Sequence, residues 1–244
     1  MRLEHIRSKY KIGFVTRFLT DEIIENAIGE ALWARLAALR RRRKAMSPEF
    51  SRRKIIFVHI PKTGGTSISA ALFGNASLTW GHFGVRDFYA ELGAGIDDYY
   101  KFCVVRNPWD RFVSAYHYLS NVPDTVTFRT KSFADLFVRG RSIDDLARYL
   151  HENPHMRRWA HFRPQSDFIT LGGKVRVDRV IRFERMAIEL SEMGEEVGIP
   201  ELRATPHLNV SSRASSYRSY YTDTTAGLVA DVYRSDIETF GYSF

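Results

Sequence analysis

Lys62-Thr63-Gly64-Gly65-Thr66-Ser67 brings an ammonium group, three hydroxyls and two glycines into one short stretch. That set suits an oxyanion. Gly64 and Gly65 let the backbone turn tightly and approach a ligand with no Cβ in the way. A helix starting there would present unpaired N–H groups and the positive end of its dipole. Thr63, Thr66 and Ser67 add donors, and Lys62 brings a mobile charge that can follow charge building on a leaving oxygen. The order departs from the ATP-binding pattern G-x-x-x-x-G-K-[ST], because Lys62 precedes both glycines. A nucleotide kinase is therefore the weaker enzyme reading, and a catalytically silent anion- or glycan-binding domain is a further alternative.

The second dense stretch is Arg106-Asn107-Pro108-Trp109-Asp110-Arg111-Phe112-Val113-Ser114-Ala115-Tyr116. A guanidinium can grip a phosphate with two parallel hydrogen bonds. Ser114, two turns into the helix that Pro108 opens, can add a hydroxyl to the same anion. Trp109, Phe112 and Tyr116 read more simply as core. The two stretches together describe a ligand with two separate anionic ends.

These residues need strand ends to hold them. Ile55-Ile56-Phe57-Val58 and Phe102-Cys103-Val104-Val105 are short β-branched, apolar runs, the mark of buried parallel strands. Val180 to Phe183 is a third. Helices are expected over 68–73, 108–119, 133–138, 142–150, 184–197 and 224–238. Strands alternating with helices predict an α/β fold. It is a single domain, residues 51–244, with a central parallel sheet flanked by helices and a P-loop-like loop after the first strand. In such sheets ligands bind at the carboxyl ends of the strands, where Lys62 and Arg106 fall.

Residues 1–50 differ in character. Thr20 reads as an N-cap with Asp21 and Glu22 in the first turn, and Ile24, Ile28, Leu32, Leu36 and Leu39 recur at helical spacing. Arg40 to Lys44 is an unbroken basic run before Ser47-Pro48. The chain of 244 residues carries 36 Lys and Arg against 28 Asp and Glu, a net +8. All of the excess lies in residues 1–54, with 14 basic and 6 acidic side chains; the remainder has 22 of each. A neutral globular part disfavours a nucleic-acid reader. The basic, partly helical extension suits a peripheral contact with a membrane surface or an acidic polymer. The single cysteine, Cys103, excludes an internal disulfide and a multi-Cys zinc site. No apolar run is long enough to span a membrane and no secretory pattern opens the chain, so the expected location is cytoplasmic, including the inner membrane surface.

His59-Ile60-Pro61-Lys62-Thr63-Gly64-Gly65-Thr66-Ser67 and the Arg106–Tyr116 stretch resemble the sulfotransferases that use 3′-phosphoadenosine 5′-phosphosulfate (PAPS). They are most similar to the carbohydrate-modifying branch with heparan 2-O- and chondroitin-type enzymes, as a bacterial member. Arg163-Pro164-Gln165, Arg182-Phe183-Glu184 and Phe240-Gly241-Tyr242 look like further landmarks. The resemblance runs from about residue 54 onward. It implies that Lys62, Thr63, Gly64, Gly65, Thr66 and Ser67 hold the 5′-phosphosulfate, and Arg106 and Ser114 the 3′-phosphate. Arg213, in a polar loop before the last helix, is a candidate phosphate or substrate contact and equally an ordinary surface Arg. The acceptor would be a carbohydrate or glycolipid hydroxyl, and the product nucleotide adenosine 3′,5′-bisphosphate (PAP).

Transfer to a hydroxyl needs a proton acceptor, and a neutral His suits that task. His82, in Trp80-Gly81-His82-Phe83-Gly84 between the two anion motifs, is the first choice, because the resemblance implies a catalytic His in this interval. His161 is the second choice and Glu184 the third. No His/Cys/Asp cluster has metal-ligand spacing, so no metal is expected.

Overall fold

The computed structural model describes residues 45–74, 81–123, 126–204 and 216–244. The helix expected from Thr20, the run Arg40 to Lys44 and Arg213 lie outside the described residues.

Helix α1, Pro48–Arg53, opens as its sequence dictates: Ser47 accepts from Phe50 N and Pro48 needs no partner for an N–H. Lys54, at φ 52°, closes it and turns the chain into β1, Ile55–Val58. Helix α2, Gly65–Phe73, starts three residues before the expected Ile68, so the glycine loop itself becomes the first turn. Helix α3, Val85–Leu92, and a 3₁₀ turn, Gly93–Asp98, lead to β2, Tyr100–Val105. Then come α4 (Pro108–Ser120), α5 (Phe128–Phe137) and α6 (Ile143–Glu152). Short α7, Ser166–Ile169, runs into a small hairpin, β3 (Thr170–Leu171) and β4 (Lys174–Val175). Strand β5 (Arg179–Arg182), α8 (Met186–Glu196), α9 (Asp223–Val232) and α10 (Arg234–Phe240) complete the described chain.

Strands β1, β2 and β5 form one parallel sheet with β2 in the centre. Val58 pairs with Cys103 and Val105 with Arg182, so the carboxyl ends of all three strands leave on the same edge. Every residue of β1, and all of β2 after Tyr100, is buried, which is why these runs are apolar on both faces apart from Lys101, whose ammonium pairs with Asp178 at 3.0 Å. The α/β architecture is as expected. Two boundaries differ for local reasons. Phe183 begins a 3₁₀ turn rather than ending the third strand. The expected final helix is two, broken at Tyr233, whose ring is fully buried and whose ψ of 28° leaves the helical range.

Candidate functional site

The loop from β1 to α2 carries two left-handed residues, Lys62 at φ 70° and Gly64 at φ 84°. Gly64 caps α2 with no side-chain hydrogen bond, and the first intrahelical bond runs from Ser67 N to Gly64 O at 3.0 Å. The amides of Gly65 and Thr66 therefore precede the helical ladder and point from its positive end. The two glycines are needed for different reasons. At 64 the φ of 84° strains any other residue, while a Cβ at 65 would overlap the His59 ring at Nε2. Gly65→Ala is thus expected to abolish saturable binding of a donor nucleotide and to lower the thermal midpoint. Restoration of both by His59→Ala in the same chain would show that this one overlap is the cause, whereas no restoration would refute it.

Not every hydroxyl of the loop faces outward. Thr63 is fully buried and its Oγ1 donates to Ile60 O at 2.9 Å, so it braces the turn instead of offering a ligand donor. Ser67 is buried and Thr66 half-buried. The Lys62 ammonium lies 4.4 Å from the centre of the Tyr118 ring, a cation–π contact that holds the flexible side chain.

Arg106 leaves β2 beside this loop. Its Nη1 donates to Lys62 O at 3.2 Å, which joins the two sequence motifs into one site. Its Nε and Nη2 bind Asp110 Oδ2 at 2.8 and 2.7 Å, and its guanidinium stacks 4.2 Å from the Phe183 ring. Ser114 is half-buried on α4, two turns on.

Past Val105 the backbone leaves the sheet ladder, and side chains satisfy its polar groups there. Gln165 accepts from Arg106 N at 2.9 Å and donates to Arg106 O at 2.8 Å. Glu184 accepts from Asn107 N at 2.7 Å and from the Tyr242 hydroxyl at 3.0 Å. Arg182 Nη2 reaches Phe240 O. Gln165, Glu184 and Tyr242, each from a landmark of the resemblance, thus hold the backbone of Arg106 and Asn107. Glu184 is thereby corrected from a candidate base to a bracing carboxylate, since both of its oxygens are already committed. Trp109 is core, as expected: its Nε1 donates to Ala226 O at 2.9 Å.

His82 enters from the segment before α3. Its Nδ1 lies 3.4 Å from His59 O, and its ring centre is 4.7 Å from that of His59 and 5.5 Å from that of His161. A carbonyl only accepts, so Nδ1 carries the proton and Nε2 is left as a base. Burial lowers the imidazolium pKa to about 4; the hydrogen bond to the His59 carbonyl opposes it, and the charges of Arg111 and Lys62 add lesser depressions. His161 is buried, stacks on Tyr118 at 5.1 Å, and has no hydrogen bond at Nδ1. Burial holds both His59 and His161 well below the ordinary histidine range. Sequence reasoning had picked out His82 and His161 but missed Tyr118, which looked like an ordinary helix aromatic. Among the described residues no group of three His, Cys, Asp or Glu is placed to hold a metal ion.

The glycine cradle, the Arg106 fork and the three imidazoles thus meet at one edge of the sheet. The chain matches the model of the Sulfotransferase family over residues 85–243, a span that holds Arg106, Ser114 and His161 and begins just after His82. No curated protein and no solved structure matches it. The family match covers well over half of the sequence, and on that ground the chain belongs to the Sulfotransferase family.

Proposed function

We propose that this chain transfers a sulfuryl group from PAPS to a hydroxyl of a carbohydrate or glycolipid, releasing PAP. The observation that carries the reading is the contact of Arg106 with Lys62 O, which makes one continuous site of two anion-binding motifs. The donor supplies an activated sulfuryl group and a leaving phosphate oxygen. The α2 amides and Lys62 receive the phosphosulfate end, with Thr66 and Ser67 beside them. Arg106 and Ser114 receive the 3′-phosphate.

His82 Nε2 takes the acceptor proton as the new O–S bond forms and the bond from sulfur to the bridging oxygen breaks. Lys62 stabilises the charge arriving on that oxygen. The logic is positioning plus electrostatics, as in phosphoryl transfer. The basic segment Arg40 to Lys44 gives the enzyme a peripheral hold on an acidic surface where glycolipid acceptors reside. Among the described residues no helix is long and apolar enough to cross a membrane.

Labelled sulfate transfer from PAPS to a glycan and glycolipid panel tests the reading, with products mapped by mass spectrometry. Binding of PAP in preference to ATP–Mg separates it from a kinase. Donor binding without transfer to any acceptor would leave the silent domain. Arg106→Ala is expected to weaken PAP binding by about 1.5–3 kcal/mol, the range for a charge-assisted hydrogen bond. The analogue lacking the 3′-phosphate should bind nearly as before. Equal losses for both nucleotides would assign Arg106 to the brace alone, through its bonds to Lys62 O and Asp110.

A further inference from the structure

Arg111 is the largest fully buried side chain, 1% exposed, on the core-facing side of α4. Its Nε donates to Pro61 O at 3.0 Å and its Nη2 to Ala160 O at 3.4 Å. It therefore ties down the residue before Lys62 and the residue before His161. Its guanidinium lies 5.9 Å from the centre of the Tyr233 ring.

These bonds satisfy donors but do not neutralise the charge. Among the described residues Arg111 forms no ion pair; Asp236 and Asp167 act on it only at longer range. The oxygens of Asp236 are taken by Gln165 N and Ser166 N, at 2.8 Å each, and its own burial raises its pKa. Burying an unpaired charge is costly, and carbonyl groups could be held by a neutral donor. The other groups around it do not compensate. Lys62 on the loop and Arg157 after α6 are cations, Tyr118 and Tyr233 are neutral phenols, and His59, His82 and His161 are held uncharged by burial.

We propose that Arg111 is a positioning residue for the donor, a buried positive charge beneath the Lys62–Ser67 cradle that the phosphosulfate neutralises on arrival. The inference rests on the reading of that cradle as the donor site. The same charge opposes a second positive charge on His82, so the imidazole accepts a proton readily only after the donor's anionic charge is in place.

Three variants separate charge from packing. Arg111→Met removes the charge at similar volume, Arg111→Gln keeps one donor for a carbonyl, and Arg111→Lys keeps the charge. The probe is PAP, with affinity, ligand-free thermal midpoint and pH–rate profile measured on the full chain. Expected is a loss of at least tenfold in PAP affinity for the Met and Gln variants, and within threefold of the parent for Lys. The ligand-free midpoint of Arg111→Met should stay close to that of the parent, since removal of a buried charge is offset by loss of its support for the Asp236 carboxylate. Its acidic rate limb should move to higher pH, a change that loss of packing alone would not produce. The inference is overturned if the neutral variants bind PAP within twofold of the parent. It is equally overturned if Arg111→Lys loses as much as Arg111→Met, or if neither neutral variant folds. A parent protein that binds no PAP overturns the donor reading and this inference with it.

Discussion

His82→Ala lowers the sulfation rate by about 10²–10⁴-fold, the usual worth of a positioned general base, and leaves PAP binding intact. The acceptor hydroxyl is a poor nucleophile until its proton has somewhere to go. The His59 carbonyl engages His82 Nδ1, which orients Nε2 as the only lone pair of that ring. Since the base works in its neutral form, the rate falls as pH drops through its pKa. That value is about 4 in the ligand-free protein, so kcat/KM for the donor, which reports the ligand-free enzyme, should stay level well below pH 6.5 and fall only toward pH 4.

Stability moves in the same direction and has to be separated from it. A histidine whose folded pKa lies below its unfolded value binds more protons when unfolded, so its stabilisation is full above about pH 6.5 and lost as pH falls toward 4. A thermal shift on adding PAP, measured at each pH, shows whether the fold persists. The acidic limb must vanish from the residual activity of the variant. Near-normal turnover in His82→Ala, with loss of turnover in His161→Ala, would move the base to His161, whose Nδ1 has no hydrogen bond.

Lys62→Ala lowers turnover by about 10²–10³-fold, as removal of one preorganised oxyanion donor does, while donor affinity changes far less. The charge on the leaving oxygen exists only as the S–O bond breaks, so a group that answers it contributes to kcat and little to binding. Tyr118 keeps the ammonium within the site, 4.4 Å from its ring centre, rather than free in solvent. Single-turnover rates at saturating PAPS, set beside the PAP dissociation constant, measure the two effects. Equal losses in both would make Lys62 a binding group only, and an unchanged rate would remove it from the chemistry.

Local sequence was sufficient where local physics decides. The short apolar runs at 55–58 and 102–105, rich in Ile and Val, read as buried strands because they are too short for a buried helix and apolar on both faces. Pro108 after Asn107 marked the start of α4, and Lys62 to Ser67 carried the residue types of an anion cradle. Where α2 begins was not legible, since glycine runs read as loop until packing against Met186 and His59 selects the turn.

Roles that depend on contacts distant in sequence came only from the tertiary structure. Glu184 is a plausible base as a letter in a motif; beside Asn107 N and the Tyr242 hydroxyl it is a brace. Thr63 looks like a ligand donor until its hydroxyl is found on Ile60 O. Arg111 lies in plain sight five residues after Arg106, yet whether it meets solvent, a carboxylate or two carbonyls is set by what α4 packs against. The sequence by itself determined the α/β fold and set two stretches of anion-binding residue type, with a histidine between them, at the strand ends, because each rests on residue type and spacing. Which hydroxyls, carboxylates and cations remain available to a ligand was decided by the packing, because a polar group buried away from water is committed to whichever partner the fold brings within hydrogen-bond reach.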